Sequence, residues 1–162
     1  MNASAKRGSE HSDQTSPIVV GVDGSRSSRL ALDWAVREAE AHGNPVLAIS
    51  TYFIPAIATA APGFTFDPGN MEELADHCRA VLATEIAEAQ RDHPSVQIES
   101  KAIQGPAAPI LIEASGRASA VVVGSRGHGG FVGLLLGSVS QQCVAHAHCP
   151  VVVIHPHREV VA

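Results

Sequence analysis

Short β-branched runs and helical patterns alternate along the chain, and few folds accommodate such an alternation. The first run, residues 18–22, lacks polar alternation, which is typical of a strand buried on both faces of a parallel sheet. A helical stripe follows from Ser27, and Gly43 is placed to end that helix. Further strands are predicted at residues 46–53, 96–103, 120–123 and 150–154, and further helices begin at Asn70, after Pro106 and at Ser138.

The order β-α-β-α-β-α-β-α-β predicts the α/β class. We expect a single doubly wound domain with a five-stranded parallel sheet in the order 3-2-1-4-5 and helices on both faces. The chain has 162 residues, and residues 17–157 would form this one domain. Residues 1–16 are rich in serine and charge and predict a disordered N-terminal tail, and residues 158–162 would be a short C-terminal tail.

The composition limits which binding partners and which cellular location we expect for the protein. The net charge of -5 argues against a protein that binds nucleic acid or anionic lipid. Three cysteines without a CxxC motif, and no apolar leader, predict reduced thiols and a cytoplasmic location. Residues 45–66 carry no charge, but Pro55, Pro62 and Gly63 interrupt them, so we predict no membrane span.

A glycine-rich segment carries the strongest chemical signal. Six of the 14 glycines lie in residues 124–137, between a buried strand and a helix. Glycines let backbone N–H groups approach an anion, and the next helix offers free N–H groups and the positive end of its dipole. Ser138 and Ser140 add hydroxyl groups there, so the segment predicts a phosphate cradle. It contains no lysine, which excludes a Walker loop.

A carboxylate lies at a second predicted strand end. Asp23 follows the first strand, where the dinucleotide fingerprint GxGxxG is absent. A carboxylate repels phosphate and suits a hydroxyl or amine, so a ribose or a base edge is its candidate partner. In the predicted strand order, strands 1 and 4 are neighbours at the point where the order reverses, and ligands of such sheets bind there. Asp23 and Gly124 are therefore expected to share one crevice.

The spacing of the glycines resembles a known signature. Gly124-x-x-Gly127, nine further residues and then Gly137-Ser138 resemble the G-2x-G-9x-G-S/T pattern of the ATP-binding branch of the universal stress protein family. The resemblance extends over residues 18–154. It implies an ATP-binding stress-response regulatory protein, with Mg²⁺ assisting the phosphates.

The resemblance also implies roles for individual positions. The matching residues are Gly21 and Thr51 for adenine, Asp23 for ribose or adenine, Val123, Gly124 and Gly127 for ribose, and Gly137, Ser138, Val139 and Ser140 for the phosphates. Family members commonly form homodimers through the last strand, here Val151–Ile154. The flat apolar edge expected of that strand favours such pairing.

The same residues also have purely structural interpretations. Ser138 could be a helix N-cap, with Gln141 completing a capping box. Asp23 could cap the first helix or form an Asx-turn. Arg126 could neutralise phosphate charge and is included in the candidate site, and His128 could do the same or act in proton transfer; both could instead be solvated loop residues.

Three classes of function remain for such a chain. We favour a regulatory module whose bound ATP biases dimer or partner interactions. The alternatives are a nucleotide-free interaction module that uses the apolar loop 54–69 and the edge strand, and a slow ATP hydrolase. The glycine segment offers no nucleophile with an adjacent base, so no catalytic residue is predicted. No protein-built metal site is predicted either, because the histidines flanking the last strand lie roughly 20 Å apart when extended.

Overall fold

The computed structural model describes residues 15–53, 68–127 and 135–156, which contain five strands and four helices. In chain order they are β1 (Ile18–Gly21), α1 (Arg26–His42), β2 (Val46–Tyr52), α2 (Pro68–Asp92), β3 (Ile98–Gln104), α3 (Ala107–Ser115), β4 (Ala120–Gly124), α4 (Ser138–His146) and β5 (Val151–Ile154). Every predicted strand and helix is present, and the bounds differ from the predicted ones by one or two residues.

The five strands form one sheet in the order β3-β2-β1-β4-β5, and every neighbouring pair is parallel. The predicted fold class and strand order are confirmed. Val19 of β1 pairs with Leu47 on one side and Val121 on the other, so β1 lies at the centre of the sheet. The strand order reverses between β1 and β4, and the carboxyl ends of these two strands therefore leave a crevice between their connections.

Two apolar layers cover the sheet because successive side chains of a strand point to opposite faces. Val20 packs with Leu32 in the layer formed by α1 and α2. Val19 packs with Leu111 and Cys143 in the layer formed by α3 and α4. Cys143 is fully buried, and this burial raises the pKa of its thiol.

The caps of α1 agree with the sequence analysis, whereas the N-cap of α4 differs from the one considered there. Ser25 caps α1 by accepting a hydrogen bond from the Ser28 N–H at 3.2 Å, and Gly43 ends α1 with a left-handed φ of 71°. In α4 the N-cap is Gly137, with no side-chain cap. The helix begins at Ser138 as predicted, so the alternative in which Ser138 is the N-cap of a capping box with Gln141 is wrong.

Some predictions concern residues that the structure does not describe. The predicted tails at 1–16 and 158–162, the apolar loop at 54–69 and His128 lie wholly or mostly outside the described residues. Within the described ranges, none of the helices has both the length and the apolar character needed to cross a membrane.

Candidate functional site

A crevice of about 580 Å³ opens at the carboxyl ends of β1, β2 and β4. Its volume is in the range of small-molecule sites, which is roughly 300–1,000 Å³. All eleven residues of the predicted site line this crevice, so the structure brings them together. They are Gly21, Asp23, Thr51, Val123, Gly124, Arg126, Gly127, Gly137, Ser138, Val139 and Ser140.

The turn after β1 fixes the carboxylate of Asp23. Its Oδ1 accepts a hydrogen bond from the Ser25 N–H at 3.0 Å, which is the Asx-turn considered as an alternative role. The Asp23 N–H donates to Ser28 Oγ at 3.3 Å. The other carboxylate oxygen, Oδ2, lies against Gly127, where a Cβ would collide with it. The structural role of Asp23 therefore uses Oδ1 and places Oδ2 beside the glycine segment, inside the crevice.

The first turn of α1 directly contacts the segment after β4. The Ser27 hydroxyl donates to the carbonyl oxygen of Arg126. A Cβ on Gly124 would lie 2.8 Å from the carbonyl carbon of Ser27 and 2.8 Å from its Cβ. Gly124 is thus required for the close approach of α1, a role that its place in the glycine signature does not reveal. Ser27 was not predicted; the run of serines at 25, 27 and 28 was the available signal.

The beginning of α4 is anchored to the end of β4. The Gly137 N–H donates to the Ser125 carbonyl at 2.7 Å. The buried Ser140 hydroxyl donates to the carbonyls of Ser125 at 3.2 Å and Gly137 at 2.9 Å. Because its hydroxyl proton is used within the protein, the donor that Ser140 can offer a ligand is its backbone N–H.

The first turn of α4 presents hydrogen-bond donors to the crevice. The N–H groups of Ser138, Val139 and Ser140 have no partner within the helix, and all three residues line the cavity. Ser138 is exposed, and among the described residues its hydroxyl makes no hydrogen bond. Together with the positive end of the helix dipole, these groups form a site suited to an anion.

The opposite wall of the crevice is apolar and comes from α2 and the end of β2. Cys78 is buried and Leu74 is exposed, and both line the crevice although neither was predicted as a site residue. The amphipathic pattern of α2 identifies its buried face, but does not show that its first turns extend past the ends of the strands. The residues of this wall are Tyr52, Phe53, Leu74, His77, Cys78 and Val81.

Among the described lining residues, Asp23 and Arg126 carry opposite charges. The N-terminus of α4 adds a positive potential, equivalent to about half an elementary charge. The crevice therefore joins an apolar end, a carboxylate and an anion-binding helix end.

The sequence profile of the Universal stress protein family matches residues 15–155, which is most of the chain. The chain belongs to the universal stress protein family. The predicted membership of the universal stress protein family is confirmed, and assignment to its ATP-binding branch stays a prediction.

Relatives of this universal stress protein support the same assignment. It is 35% identical over 151 residues to Universal stress protein Rv1996 of Mycobacterium tuberculosis, with 85% of this chain and 47% of the relative covered. The chain thus spans about half the length of the curated relatives that it matches.

Solved structures share the fold. A universal stress protein in complex with cAMP has a TM-score of 0.65 and 27% identity, covering 86% of this chain and 96% of that one. The universal stress protein from Archaeoglobus fulgidus in complex with dAMP has a TM-score of 0.61 and 23% identity, covering 87% of this chain and 98% of that one. Some structural neighbours of this family member therefore bind adenine nucleotides.

Proposed function

We propose that this universal stress protein binds ATP together with Mg²⁺ in the crevice, and that the bound nucleotide biases homodimer or partner interactions in the cytoplasm. One observation carries the proposal: the first-turn N–H groups of α4, which have no partner within the helix, and the carboxylate of Asp23 line the same cavity of about 580 Å³. The cavity thus has complementary groups for the two polar parts of a nucleotide.

The phosphates would lie at the N-terminus of α4. The N–H groups of Ser138 and Val139 and the Ser138 hydroxyl are the donors, and Arg126 is the nearby cation. Gly137 gives a phosphate room to approach, because a Cβ there would find its nearest atoms only at 3.6 Å. Backbone donors at a helix start bind phosphate without a lysine.

The nucleoside would lie towards β1 and α2. Asp23 Oδ2 can accept a hydrogen bond from a ribose hydroxyl, since residue 127 has no side chain to cover it. Thr51 at the end of β2, together with Tyr52 and Val81, borders the more apolar end of the crevice, where a base would avoid water. The related structure that is 27% identical is a complex with cAMP, an adenine nucleotide, which supports adenine as the base.

The residues present also fit a magnesium–phosphate complex. Mg²⁺ prefers oxygen ligands and is commonly bound by one or two carboxylates plus substrate phosphates. The exposed Ser138 hydroxyl is a protein oxygen at the phosphate end of the crevice, and the phosphates and water would supply the other ligands, because Asp23 is assigned to the ribose. When bound, the ion would offset phosphate charge that Arg126 and the helix dipole leave uncompensated.

A physical connection joins the crevice to the edge strand β5 (Val151–Ile154). The Ser125 N–H donates to the Ile154 carbonyl at 2.8 Å, while its own carbonyl accepts from the Gly137 N–H at 2.7 Å. The residues of β5 are half-buried, and within the described part of the chain their one neighbouring strand is β4. A second copy of the chain that pairs with this edge would contact β5. Ser125 connects the end of β5 to Gly137 at the phosphate-binding end of the crevice.

The deciding experiment asks what the protein carries and what it binds. Freshly purified protein is denatured, the released small molecules are analysed by mass spectrometry, and calorimetric titrations with Mg-ATP, AMP and cAMP follow. We expect an adenine nucleotide or measurable binding, lost in Gly137→Ala and retained in Glu113→Gln on the exposed side of α3. Absence of both retained nucleotide and titration heat would overturn the proposal.

The regulatory part of the proposal has its own measurement. Sedimentation velocity with and without Mg-ATP should show a nucleotide-dependent change in the dimer fraction, and a charged residue at Val153 should abolish the dimer. An identical dimer fraction at saturating nucleotide would contradict the coupling while leaving nucleotide binding intact.

A further inference from the structure

Helix α2 carries a buried carboxylate that its apolar stripe does not require. Glu85 is only 6% exposed and lies one helical turn beyond Val81, which lines the crevice. Burying an ionised carboxylate costs several kcal/mol unless a cation or hydrogen bonds compensate it. An apolar side chain of similar size would fill this position without the desolvation cost of a charge. The presence of a carboxylate here therefore suggests a functional role.

Among the described residues, a cation of α1 lies beside Glu85 and also contacts the turn that contains Asp23. Arg29 Nη1 lies 3.9 Å from Glu85 Oε1, and the same nitrogen donates to the Gly24 carbonyl at 2.8 Å. Gly24 follows Asp23 directly and adopts a left-handed φ of 82°. The guanidinium therefore bridges a buried group on α2 and the backbone of the turn that holds the site carboxylate.

We infer that Glu85 and Arg29 form a positioning pair for Asp23, and this inference rests on the proposed nucleotide site. Glu85 fixes the guanidinium, and Arg29 fixes the Gly24 carbonyl. The turn then keeps Asp23 Oδ2 beside Gly127, where a ribose hydroxyl can reach it. Neither residue lines the crevice, so both act through Asp23 rather than on the ligand.

The pair also links the two sides of the nucleoside site. Val81 of α2 forms part of the apolar wall, and Asp23 faces it from the end of β1. Because Glu85 belongs to the same helix as Val81, a shift of α2 transmits to the Asp23 turn through Arg29. Recognition of the base and of the ribose is thereby coupled.

A second link between elements supplies a matched control. Glu40 of α1 accepts hydrogen bonds from His93 at 2.7 Å and from Ser95 at 2.9 Å, in the turn after α2. This link joins the opposite end of α1 to the turn after α2, and none of its three residues lines the crevice. Removing it should lower stability without changing how Asp23 is held.

The test compares AMP with 2′,3′-dideoxy-AMP, which lacks both ribose hydroxyls. A hydrogen bond to a charged acceptor predicts that the wild type binds AMP about tenfold more tightly than the dideoxy compound. We expect Asp23→Ala, Glu85→Gln and Arg29→Met to bring this ratio close to one. Arg29→Lys should restore most of it, and Glu40→Gln should leave it unchanged. In Asp23→Ala, adding Arg29→Met should cause no further loss of the ratio.

The outcomes separate this inference from the proposed function. A wild-type ratio retained in both Glu85→Gln and Arg29→Met, with only the melting temperature lowered, overturns the positioning role and leaves the nucleotide site intact. Failure of the wild type to bind any nucleotide overturns the proposed function. Hydrogen exchange of the amides at residues 23–28 then decides whether the pair holds the turn. Faster exchange in Glu85→Gln than in Glu40→Gln supports it, and equal exchange refutes it.

Discussion

The carboxylate of Asp23 and the α-carbon of Gly127 are in contact across the crevice, and Oδ2 fills the space into which a side chain at residue 127 would project. One residue follows the central strand β1, and the other lies just beyond its neighbour β4. The second glycine of the signature therefore leaves room for a protein carboxylate. That role is distinct from any approach to phosphate.

This contact predicts the effect of Gly127→Ala. The new methyl group meets Asp23 Oδ2, and the turn must shift, which we expect to cost about 1–3 kcal/mol of unfolding free energy and to weaken nucleotide binding. The double variant Asp23→Ala/Gly127→Ala should recover much of the loss caused by the alanine at 127. Urea unfolding of the wild type and the three variants measures the coupling. If the changes in unfolding free energy of the two single variants add up to that of the double variant, the contact does not contribute to stability.

The sharing of one crevice by Asp23 and Gly124 was predictable because the alternation of strands and helices determines the sheet order. In a doubly wound parallel sheet, that order determines which strand ends are adjacent where it reverses. The positions of the glycines then located the helix start that faces the crevice. These steps use only the periodicity of the sequence and the handedness of crossovers.

The missed features depend on distances between packed elements, which periodicity does not contain. The close approach of Ser27 to Gly124 follows from how deeply α1 packs against β4. The apolar wall of α2 follows from how far that helix extends past the strand ends. The Ser138 capping box failed for a local reason, since the helix begins at Ser138 itself and Gly137 takes the N-cap position.

Two glycines of the signature should lose different amounts of stability when replaced by alanine. Gly124→Ala places a Cβ 2.8 Å from backbone and side-chain atoms of Ser27, so we expect a loss of about 1–3 kcal/mol in unfolding free energy. Gly137→Ala meets nothing closer than 3.6 Å and should cost about 1 kcal/mol or less as an N-cap change. Chemical denaturation of both variants checks the order.

Gly137→Ala is consequently the sharper probe of the crevice. Its effect on nucleotide affinity should exceed its effect on stability. Gly124→Ala lowers the stability as well, so a loss of binding in that variant could come from either effect. A larger destabilisation from Gly137→Ala than from Gly124→Ala would contradict the packing described for α1.

Alanine substitution of the two serines at the start of α4 should also affect stability to different degrees. The Ser140 hydroxyl is buried and donates to two carbonyls, so Ser140→Ala should lower the unfolding free energy by about 1 kcal/mol. Ser138 is exposed and no hydrogen bond of its hydroxyl is found within the described residues, so Ser138→Ala should change stability by less than about 0.5 kcal/mol. Thermal or urea melts measure both.

Binding should show the reverse order. Ser138→Ala removes a hydroxyl that faces the phosphate end of the crevice, and we expect weaker nucleotide binding at unchanged stability. Ser140→Ala keeps the backbone N–H, so its affinity for nucleotide should fall less. Equal affinities for the wild type and Ser138→Ala would remove this hydroxyl from the proposed site.

The Glu40 link predicts a specific pH dependence of stability. Hydrogen bonds from His93, and then from Ser95, lower the pKa of the Glu40 carboxyl below its ordinary value. A carboxyl whose pKa is lower in the folded state contributes stability above its unfolded pKa of about 4.3 and loses it as the pH falls through the folded pKa.

Between pH values of about 5 and 3, the urea midpoint of the wild type should therefore fall more steeply than that of Glu40→Gln. Glu88→Gln, on an exposed position of α2, is the matched control for the loss of one carboxylate, and its acid slope should follow the wild type. The His93 and Ser95 contacts give Glu40 its lowered pKa, so parallel acid slopes for the wild type and Glu40→Gln would show that these contacts do not persist in solution.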